Sequence, residues 1–307
     1  MSRFIWPLTY LLSAICVLLL LWGGVKSGNR LLNELWNIGH VAAFFIWTLL
    51  IGRISWCNKL AVNVLIASML LFTIIVGSAI EGLQLLRGSN FSLTDVLNDL
   101  TGAWMALTVI YYCRTETSKL QLIAMFSGAL LLALISFRNL AMTIYDEIQM
   151  YQNFPILVDF KSPDQQQRIW AKAMTIVSAP DNASLNVLKL DFDTAEYSGF
   201  ALRYFVSNWR DYQYLALKIY RHQSPSVDIN CRINDRQHDL HGYSYQDRFH
   251  RQYRLNKGWN FINIALAEVE KAPVNRLMDL SDVSHVGCFV VRQPIQQTIY
   301  LHTISLY

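Results

Sequence analysis

Long apolar stretches separated by short polar segments fill the first 137 residues of the chain. A helix needs about 20 residues to cross a hydrocarbon core about 30 Å thick, and each stretch has or approaches that length. The first is too long for the core of a signal peptide and precedes no small-residue cleavage site, which favours a retained span. The pattern predicts a bundle of five transmembrane helices: Phe4–Trp22, Trp36–Ile51, Leu60–Leu85, Thr94–Tyr112 and Leu120–Phe137.

After residue 153 the pattern changes to short apolar or alternating segments with turn residues between them. Their spacing is typical of an antiparallel β-sandwich. Helix signals are short, at Pro163–Ala171 and Leu266–Val269, which argues against a parallel α/β fold. The ten predicted strands are Phe154–Phe160, Ala173–Val177, Ser184–Phe192, Gly199–Phe205, Tyr214–Tyr220, Val227–Asn234, His250–Leu255, Trp259–Ala265, Val283–Val291 and Thr298–Leu306.

A connector joins these two parts. It has no helix breaker before Pro155, so residues 138–150 are compatible with a continuation of the fifth helix. The sequence therefore predicts a transmembrane domain at 1–137, a connector at 138–153 and a sandwich at 154–307.

Composition separates the same parts. Of all residues, 53% are hydrophobic and 16% are charged. Residues 1–137 carry 8 Lys or Arg and 5 Asp or Glu, whereas residues 138–307 carry 18 and 17. The second part thus has the charge density of a soluble domain. The net charge of +4 is spread without a basic block, which argues against nucleic acid as a partner.

The cysteines are scattered and form no CxxC pair, so neither a zinc site nor a disulfide scaffold is predicted. Cys231 and Cys288 fall in predicted strands and are expected to be buried thiols. His238 and His241 have a ligand-like spacing but lack a third ligand nearby. Phosphate-binding glycine loops, dinucleotide motifs and nucleophile elbows do not occur in the sequence. We therefore expect no metal and no cofactor.

The loops between the predicted spans are short enough for the positive-inside rule. An inside N-terminus gives five inner and four outer basic residues, and five spans then place the sandwich outside. The inner residues are Arg3, Arg53, Lys59, Arg114 and Lys119, and the outer ones are Lys26, Arg30, Arg87 and Arg138. We expect a multi-pass protein of the cytoplasmic (inner) membrane with an extracytoplasmic sandwich.

Polar residues gather at one membrane face, whatever the orientation, because consecutive spans alternate in direction. Within each span they recur at helical spacing and can share one side of the helix. Ionisable groups at membrane depth indicate a functional site unless they simply pair or cap a helix. A purely structural interpretation stays open, since Ser92 and Asp95 resemble a capping box. The cluster comprises His40, Glu81, Gln84, Arg87, Asp95, Asn98 and Asp99.

The same residues lie in three ordered motifs: Gly39-His40-Val-Ala-Ala-Phe44-Phe45, Glu81-Gly-Leu-Gln84-Leu-Leu-Arg87, and the segment from Ser92 to Gly102. Over about residues 30–115 they resemble the VanZ-like family of small multi-pass membrane proteins. The family's Asp-x-x-x-Asn reads here Asp95-x-x-x-Asp99, which leaves open whether Asn98 or Asp99 takes the Asn role. The family is named for a member associated with resistance to a glycopeptide antibiotic. The resemblance implies a cell-envelope context and a link to such antibiotics more than a reaction.

The second half carries its own ordered series of motifs: Tyr197–Phe200, Asn208–Leu215, Ile233–His238, Tyr245–Phe249, Lys257–Asn260 and Ala272–Leu280. The series resembles the jelly-roll, galactose-binding-like sandwiches found as carbohydrate-binding modules. The resemblance implies that the sandwich can bind sugar, although the fold alone does not settle function.

Exposed Trp and Tyr rings can stack on a sugar, and charged or amide groups can bind its hydroxyls. The segment from Tyr243 to Arg248 is expected to form a loop near Asp235 and His238. An alternative interpretation makes Trp209 and Trp259 core residues and Asp247–Arg248 a structural pair. The glycan-binding candidates are Trp209, Tyr212, Asp235, His238, Tyr243, Tyr245, Asp247 and Arg248.

Two functions fit these features. The favoured one is a non-enzymatic envelope protein, in contact with membrane lipid, whose sandwich binds a glycan or an envelope partner. The other is a membrane enzyme that acts on a lipid-linked envelope precursor, with His40, Glu81 or Asp95 as acid or base. A transporter is disfavoured because the five spans show no internal repeat.

Overall fold

The computed structural model of the chain describes residue 11 and residues 30–54, 56–86, 91–114, 118–240 and 242–307. Apart from Leu11, the predicted span Phe4–Trp22 lies outside these residues, and so do Arg87 and His241. The chain divides into two compact units, Met1–Tyr145 and Asp146–Tyr307.

Within the described residues, long α-helices account for most of the first unit. Three of them, α1, α2 and α4, are long and apolar enough to cross a membrane. Helix α3 is less apolar because Asp95, Asn98 and Asp99 occupy its first two turns. The described residues therefore support three candidate spans, and the predicted five-helix bundle stays a prediction. The helices are α1 (Arg30–Gly52), α2 (Val62–Leu86), α3 (Leu93–Tyr112) and α4 (Lys119–Asn153).

Small residues allow α1 and α2 to approach α3 closely. A Cβ atom at Gly102 of α3 would meet the backbone carbonyl of Val41 in α1. A Cβ atom at Gly77 of α2 would meet the carboxylate of Asp99 in α3. Helices in an apolar environment associate through such close packing rather than through a hydrophobic driving force. The two glycines thus set how near the polar side chains of these helices come to one another.

The second unit is an antiparallel β-sandwich, which confirms the fold class predicted for this half. One sheet has the order β3-β4-β11-β6-β9, with β1 also paired to β11, and the other has the order β2-β5-β10-β7-β8. The strands are β1 (Ile156–Val158), β2 (Ile169–Ala171), β3 (Met174–Ala179), β4 (Asn182–Phe192), β5 (Tyr197–Leu202), β6 (Tyr214–Arg221), β7 (Val227–Asp235), β8 (Phe249–Leu255), β9 (Gly258–Ala265), β10 (Val283–Val291) and β11 (Gln297–Leu306).

Alternation along the strands builds the core between the sheets. In β6, Leu215, Leu217 and Ile219 are buried, and their neighbours in the chain are half-buried or exposed. In β7, Ile229 and Ile233 face the same core. Each fully buried Leu or Ile side chain contributes about 1.5–3 kcal/mol relative to an exposed one. This period of two is what made the strands predictable.

Short helical turns interrupt the strands. The segment predicted as helix at Pro163–Ala171 is a 3₁₀-helix over Pro163–Arg168 followed by strand β2. That prediction was wrong for its last three residues, because Ile169–Ala171 pair with β5. The remaining turns are α5 (Arg236–Leu240), a 3₁₀-helix at Tyr245–Asp247, α6 (Leu266–Glu270) and, in the first unit, a 3₁₀-helix at Cys57–Lys59.

Helix α4 continues through the predicted connector to Asn153. Its last turns belong to the second unit, where Asp146 receives bonds from Arg168 at 2.7 Å and 3.1 Å. Arg168 is almost fully buried and also donates to the carbonyl of Leu157 in β1. The buried arginine therefore fastens the end of α4 to the first strand.

Cys231 of β7 and Cys288 of β10 lie opposite each other and form a disulfide, with a Cα–Cα distance of 4.1 Å. The expectation that they are buried thiols is wrong. The two residues are 57 positions apart, and only the register of β7 against β10 brings them together. Of the described cysteines, Cys57 and Cys113 are free.

Candidate functional site

A cleft of about 650 Å³ crosses the outer face of the five-stranded sheet. Its floor is a row of residues that are direct partners across successive strands. We call this row the trough. It runs over all five strands and consists of Trp170 (β2), Ala201 (β5), Gly287 (β10), Arg232 (β7) and His250 (β8).

Small residues make the middle of the trough deep. Ala201 and Gly287 lie between the large side chains of Trp170 and Arg232. The next row places Gly199 beside Phe289, and a Cβ atom at Gly199 would overlap Phe289. The floor is therefore low because glycine and alanine stand where outward strand positions usually carry larger side chains.

Aromatic side chains line the rim of the cleft. Trp170, Tyr197 and Tyr245 are 51%, 64% and 58% exposed. Tyr197 packs edge-on against Phe289 with ring centroids 5.8 Å apart, which fixes its position. Tyr245 contacts the ring of His250 at 4.0 Å. These rings combine a large apolar face with an accessible polar edge, the property that suits an amphipathic ligand.

The electrostatic character of the cleft is basic. The lining residues include Arg232, Arg248, His250 and His285, and within the described lining no Asp or Glu is present. Burial, and then the positive charges of Arg232 and Arg248, lower the pKa of His285 to about 4. His285 is thus neutral at physiological pH, whereas the guanidinium groups of Arg232 and Arg248 are positively charged.

Arg248 is held over the ring of Tyr245, with its guanidinium carbon 5.0 Å from the ring centroid. Its Nε atom is buried and has no hydrogen-bond partner within the described residues. Arg232 donates a hydrogen bond through Nε to Asn234 at 3.1 Å, and its positive charge also interacts with the carboxylate of Asp239. The Nε atom of Arg248 therefore has donor capacity that no described residue uses.

A partly buried ionic network supports the segment that carries Tyr245 and Arg248. Arg276 donates to Asp235 at 2.5 Å and 2.8 Å and to Asp247 at 2.6 Å and 2.8 Å. Burial alone would raise the pKa of Asp235, but the bonds from Arg276 hold that pKa below its usual value. Bonds from Arg276 also lower the pKa of Asp247. Asp235 and Asp247 are therefore structural partners of Arg276.

Several predicted glycan-binding residues lie elsewhere. Trp209 is fully buried in the sandwich core and donates to the Val206 carbonyl at 2.7 Å, so its assignment to a sugar site was wrong. Asp235 and His238 are also fully buried, which corrects their assignment. Tyr212 packs edge-on against Phe154 next to the core.

The predicted loop from Tyr243 to Arg248 lies where it was expected relative to His238. The ring of His238 contacts that of Tyr243, and its Nδ1 lies 3.0 Å from the carbonyl oxygen of Asp247. Tyr243 is 62% exposed. Tyr245 and Arg248 line the cleft, whereas Tyr243 does not. Of the eight predicted residues, Tyr245 and Arg248 are thus the two that the cleft includes.

The part of the cleft that lies on strands was not predicted from the sequence. Tyr197, Gly199 and Ala201 alternate with the buried Ser198, Phe200 and Leu202 of β5. An exposed aromatic followed by two small residues on the outward face of a strand was the available signal. The missed residues are Trp170, Tyr197, Arg232, His250, His285 and Phe289.

In the first unit, the structure brings together His40, Glu81 and Asp95, whose ligand atoms all lie within 4.8 Å of one another. His40 and Glu81 are buried, and Asp95 is half-buried. The Nδ1 atom of His40 lies 2.9 Å from Asp99, which is itself fully buried. Three helices thus contribute to one polar cluster, which we call the helix cluster.

The other members of the predicted cluster have separate surroundings. Asn98 donates to the backbone carbonyl of Asn37 in α1 at 3.1 Å. Gln84 is 7% exposed. The hydroxyl of Ser92 accepts from the Asp95 N–H at 3.2 Å, as expected for a helix cap. Arg87 lies outside the described residues.

No protein-family model matches the chain, and no curated protein matches it. Among solved structures, the β-sandwich resembles carbohydrate-binding modules. It is similar to the family 11 module from Clostridium thermocellum in complex with a β-1,3-1,4-mixed-linked tetrasaccharide, at 14% identity and a TM-score of 0.38, covering 49% of this chain and 93% of that one.

A second similar structure is an exo-β-agarase, at 15% identity and a TM-score of 0.41, covering 50% of this chain and 24% of that one. A third is the family 28 module specific for non-crystalline cellulose, at 12% identity and a TM-score of 0.33, covering 46% of this chain and 87% of that one.

Proposed function

We propose that the β-sandwich binds a glycan along the trough, and that the glycan carries acidic groups. The observation that supports this most is the cross-strand row itself, with small residues in its middle and Trp170 and His250 at its ends. Five strands spaced about 4.8 Å apart make the row about 19 Å long. That length suits a chain of several sugar rings.

The chemistry of the lining supports a saccharide over a purely apolar ligand. Trp170, Tyr197 and Tyr245 are exposed aromatic side chains of the lining, and Asn230 and His250 add polar groups. A few polar groups converging on an otherwise apolar concave surface are typical of small-molecule sites. Sugars match this pattern because each ring has an apolar face and a rim of hydroxyls.

The charge of the lining supports an acidic saccharide. Arg248 has a buried Nε without a partner in the described part of the chain, and Arg232 also lines the cleft. Guanidinium groups bind carboxylate, sulfate and phosphate groups with two parallel hydrogen bonds. We therefore favour glycans with uronic acid, sulfate or phosphate groups over neutral ones.

A glycan array probed with the purified full-length protein in detergent tests the proposal. Binding concentrated on acidic glycans is the expected result. Equal binding to neutral and acidic glycans would remove the acidic preference and keep the glycan site. No binding on an array that includes envelope polysaccharides would favour a protein partner instead.

We also propose that the sandwich lies outside the cytoplasmic membrane. The disulfide between Cys231 and Cys288 supports this orientation because disulfides persist mainly in oxidising compartments. The same orientation puts Cys113, an exposed cysteine at the end of α3, on the inner side. Labelling of Cys113 by a membrane-impermeant maleimide only after permeabilisation is expected, and equal labelling of intact cells would contradict the orientation.

The VanZ-like motifs support a role in the cell envelope, and we extend the proposal to glycopeptide susceptibility. Deletion of the gene is expected to change the inhibitory concentration of a glycopeptide antibiotic. Complementation with the Ala201→Leu variant, which fills the trough, tests whether glycan binding takes part in that effect.

A second candidate function is that of a membrane enzyme acting on a lipid-linked envelope precursor. The helix cluster supports it, since His40, Glu81 and Asp95 could transfer protons if they contact the substrate. Loss of a lipid-linked sugar substrate in the presence of the purified protein, and its retention with Glu81→Gln, is the expected result. If the amount of substrate does not change, the enzymatic function is contradicted and only the glycan-binding function remains.

A further inference from the structure

The helix cluster has the composition of a metal site. It offers one imidazole and two carboxylates from three helices: His40 of α1, Glu81 of α2 and Asp95, in the first turn of α3. Two of the three side chains are buried, at 1% exposure for His40 and 0% for Glu81. Ionisable groups of this kind within long apolar helices are costly unless something compensates their charge.

Asp99 prepares His40 to act as a ligand. Its Oδ1 atom accepts a hydrogen bond from Nδ1 of His40 at 2.9 Å. A carboxylate partner on Nδ1 fixes the tautomer in which Nε2 is unprotonated and free to donate its lone pair. In many metal sites, the imidazole that binds the metal donates its other ring N–H to a carboxylate in the same way.

Glu81 supplies an independent indication that the cluster binds a ligand. Its Oε2 atom accepts the backbone N–H of Ser92 at 2.9 Å. Its Oε1 atom is buried and has no hydrogen-bond partner among the described residues. A buried carboxylate oxygen without a partner costs free energy that coordination to a cation would recover.

We propose that His40, Glu81 and Asp95 bind one divalent transition-metal ion, with Asp99 as the positioning residue for His40. Metal–ligand bonds of about 2.0–2.2 Å place ligand atoms roughly 3–4 Å apart, so the observed limit of 4.8 Å requires only small side-chain movements. An imidazole with two carboxylates suits Zn²⁺ or Mn²⁺ better than Ca²⁺ or Mg²⁺. Three protein ligands leave an open position, as in catalytic rather than structural zinc sites.

The packing of α2 against α3 also fits this site. Gly77 lies beside the carboxylate of Asp99, where any Cβ atom would displace it. The absence of a side chain at Gly77 therefore keeps Asp99 in reach of His40. Gly77→Ala should weaken metal binding without altering any ligand.

Metal content of the full-length protein in detergent tests the proposal. The protein is stripped with a chelator, dialysed against Zn²⁺ alone or Mn²⁺ alone, and analysed by elemental mass spectrometry. About one ion per chain is expected for the wild type. His40→Ala and Glu81→Gln should lower affinity at least tenfold, and Asp99→Asn should lower it by about 10–100-fold.

Matched controls separate this site from other ligands in the chain. Glu34→Gln changes a carboxylate of α1 outside the cluster, and His222→Ala removes an exposed histidine of the sandwich. Both should bind the metal as the wild type does. A rise in the melting temperature on adding the metal, present in the wild type and lost in Asp99→Asn, supplies a second readout for variants that fold.

Equal metal content and equal thermal shifts in the wild type, Glu81→Gln and Asp99→Asn would overturn the proposal, since binding would then be adventitious. No retained ion and no thermal shift in the wild type would overturn it as well. Neither result bears on the trough, which lies in the other unit.

Discussion

Arg276 donates to both carboxylate oxygens of Asp235, at 2.5 Å and 2.8 Å, and Asp235 is fully buried. The same guanidinium binds Asp247 in the 3₁₀-helix that precedes Arg248. One arginine therefore ties the end of β7 to the segment that brings Tyr245 and Arg248 to the cleft. The position of Tyr245 on the rim depends on these ion pairs.

Arg276→Ala should destabilise the sandwich strongly, because it leaves Asp235 buried without its partner. Breaking such a pair costs about 3–5 kcal/mol. Arg254→Ala is the control, since its pair with Asp228 is exposed and contributes about 0–1 kcal/mol. Denaturant unfolding of both variants checks the difference, and similar losses would show that the Arg276 network is not structural.

The stability of the sandwich should fall as the pH is lowered from about 6.5 to 4. Unfolded His285 takes up a proton near pH 6.5, whereas folded His285 does so only near pH 4. Within this window the unfolded state gains a proton that the folded state does not, which costs about 3 kcal/mol of stability by pH 4. Unfolding of the wild type and His285→Gln across this range is the measurement, and parallel curves would contradict the assignment.

A further loss of stability is expected below pH 4. The folded-state pKa values of Asp235 and Asp247 are lowered, so their contribution is full above the ordinary Asp value of about 3.9. It is lost as the pH falls through the folded-state pKa values. Because Arg276→Ala removes the largest of the interactions that lower these pKa values, its unfolding curve should be flatter than that of the wild type below pH 4.

The sandwich was predictable because its strands alternate strictly, as in Leu215, Leu217 and Ile219 of β6. Strand β2 was missed because its three residues follow a polar segment with a helical pattern. The disulfide was missed because the pairing of β7 with β10 depends on the fold and not on local sequence. The long apolar helices were equally predictable, because their length and hydropathy are enough to identify them.

The candidate glycan site was only partly predictable. The polar loop indicated Tyr245 correctly. The cleft residues on the outward faces of the strands were not predicted. Trp209 was a candidate because an exposed Trp ring can stack on a sugar, and the sequence left a core position open. Its ring nevertheless belongs to the hydrophobic core, and the polarity of the neighbouring residues does not show this. In the helices, the alternating direction of consecutive spans was enough to predict that His40 lies near Glu81 and Asp95. It was not enough to predict the hydrogen bond between His40 and Asp99.

Trp209→Ala should reduce stability without a specific effect on glycan binding. Its ring is fully buried against Phe205, and removing a buried aromatic costs about 3–5 kcal/mol. At a temperature where the variant remains folded, its affinity for glycan should equal that of the wild type. A large loss of affinity with intact folding would return Trp209 to the binding site.

The cysteines should differ in reactivity. Cys231 and Cys288 are expected to react with an alkylating agent only after reduction, and Cys113 without it. Cys57 is buried and should react only in denaturant. Replacing both disulfide cysteines by Ser should cost about 2–5 kcal/mol of stability. Mass spectrometry of the alkylated protein identifies which cysteines have reacted. Reaction of Cys231 without reduction would contradict the disulfide.

The trough is tested most directly by filling it. Ala201 of β5 lies in the trough next to Gly287, and Ala216 is a matched half-buried position on β6 of the other sheet. Ala201→Leu and Ala216→Leu add the same side chain, so isothermal titration of full-length wild type and both variants with an acidic glycan isolates the site. We predict at least a tenfold loss of affinity for Ala201→Leu and none for Ala216→Leu. Equal affinities of Ala201→Leu and the wild type would contradict glycan binding in the trough.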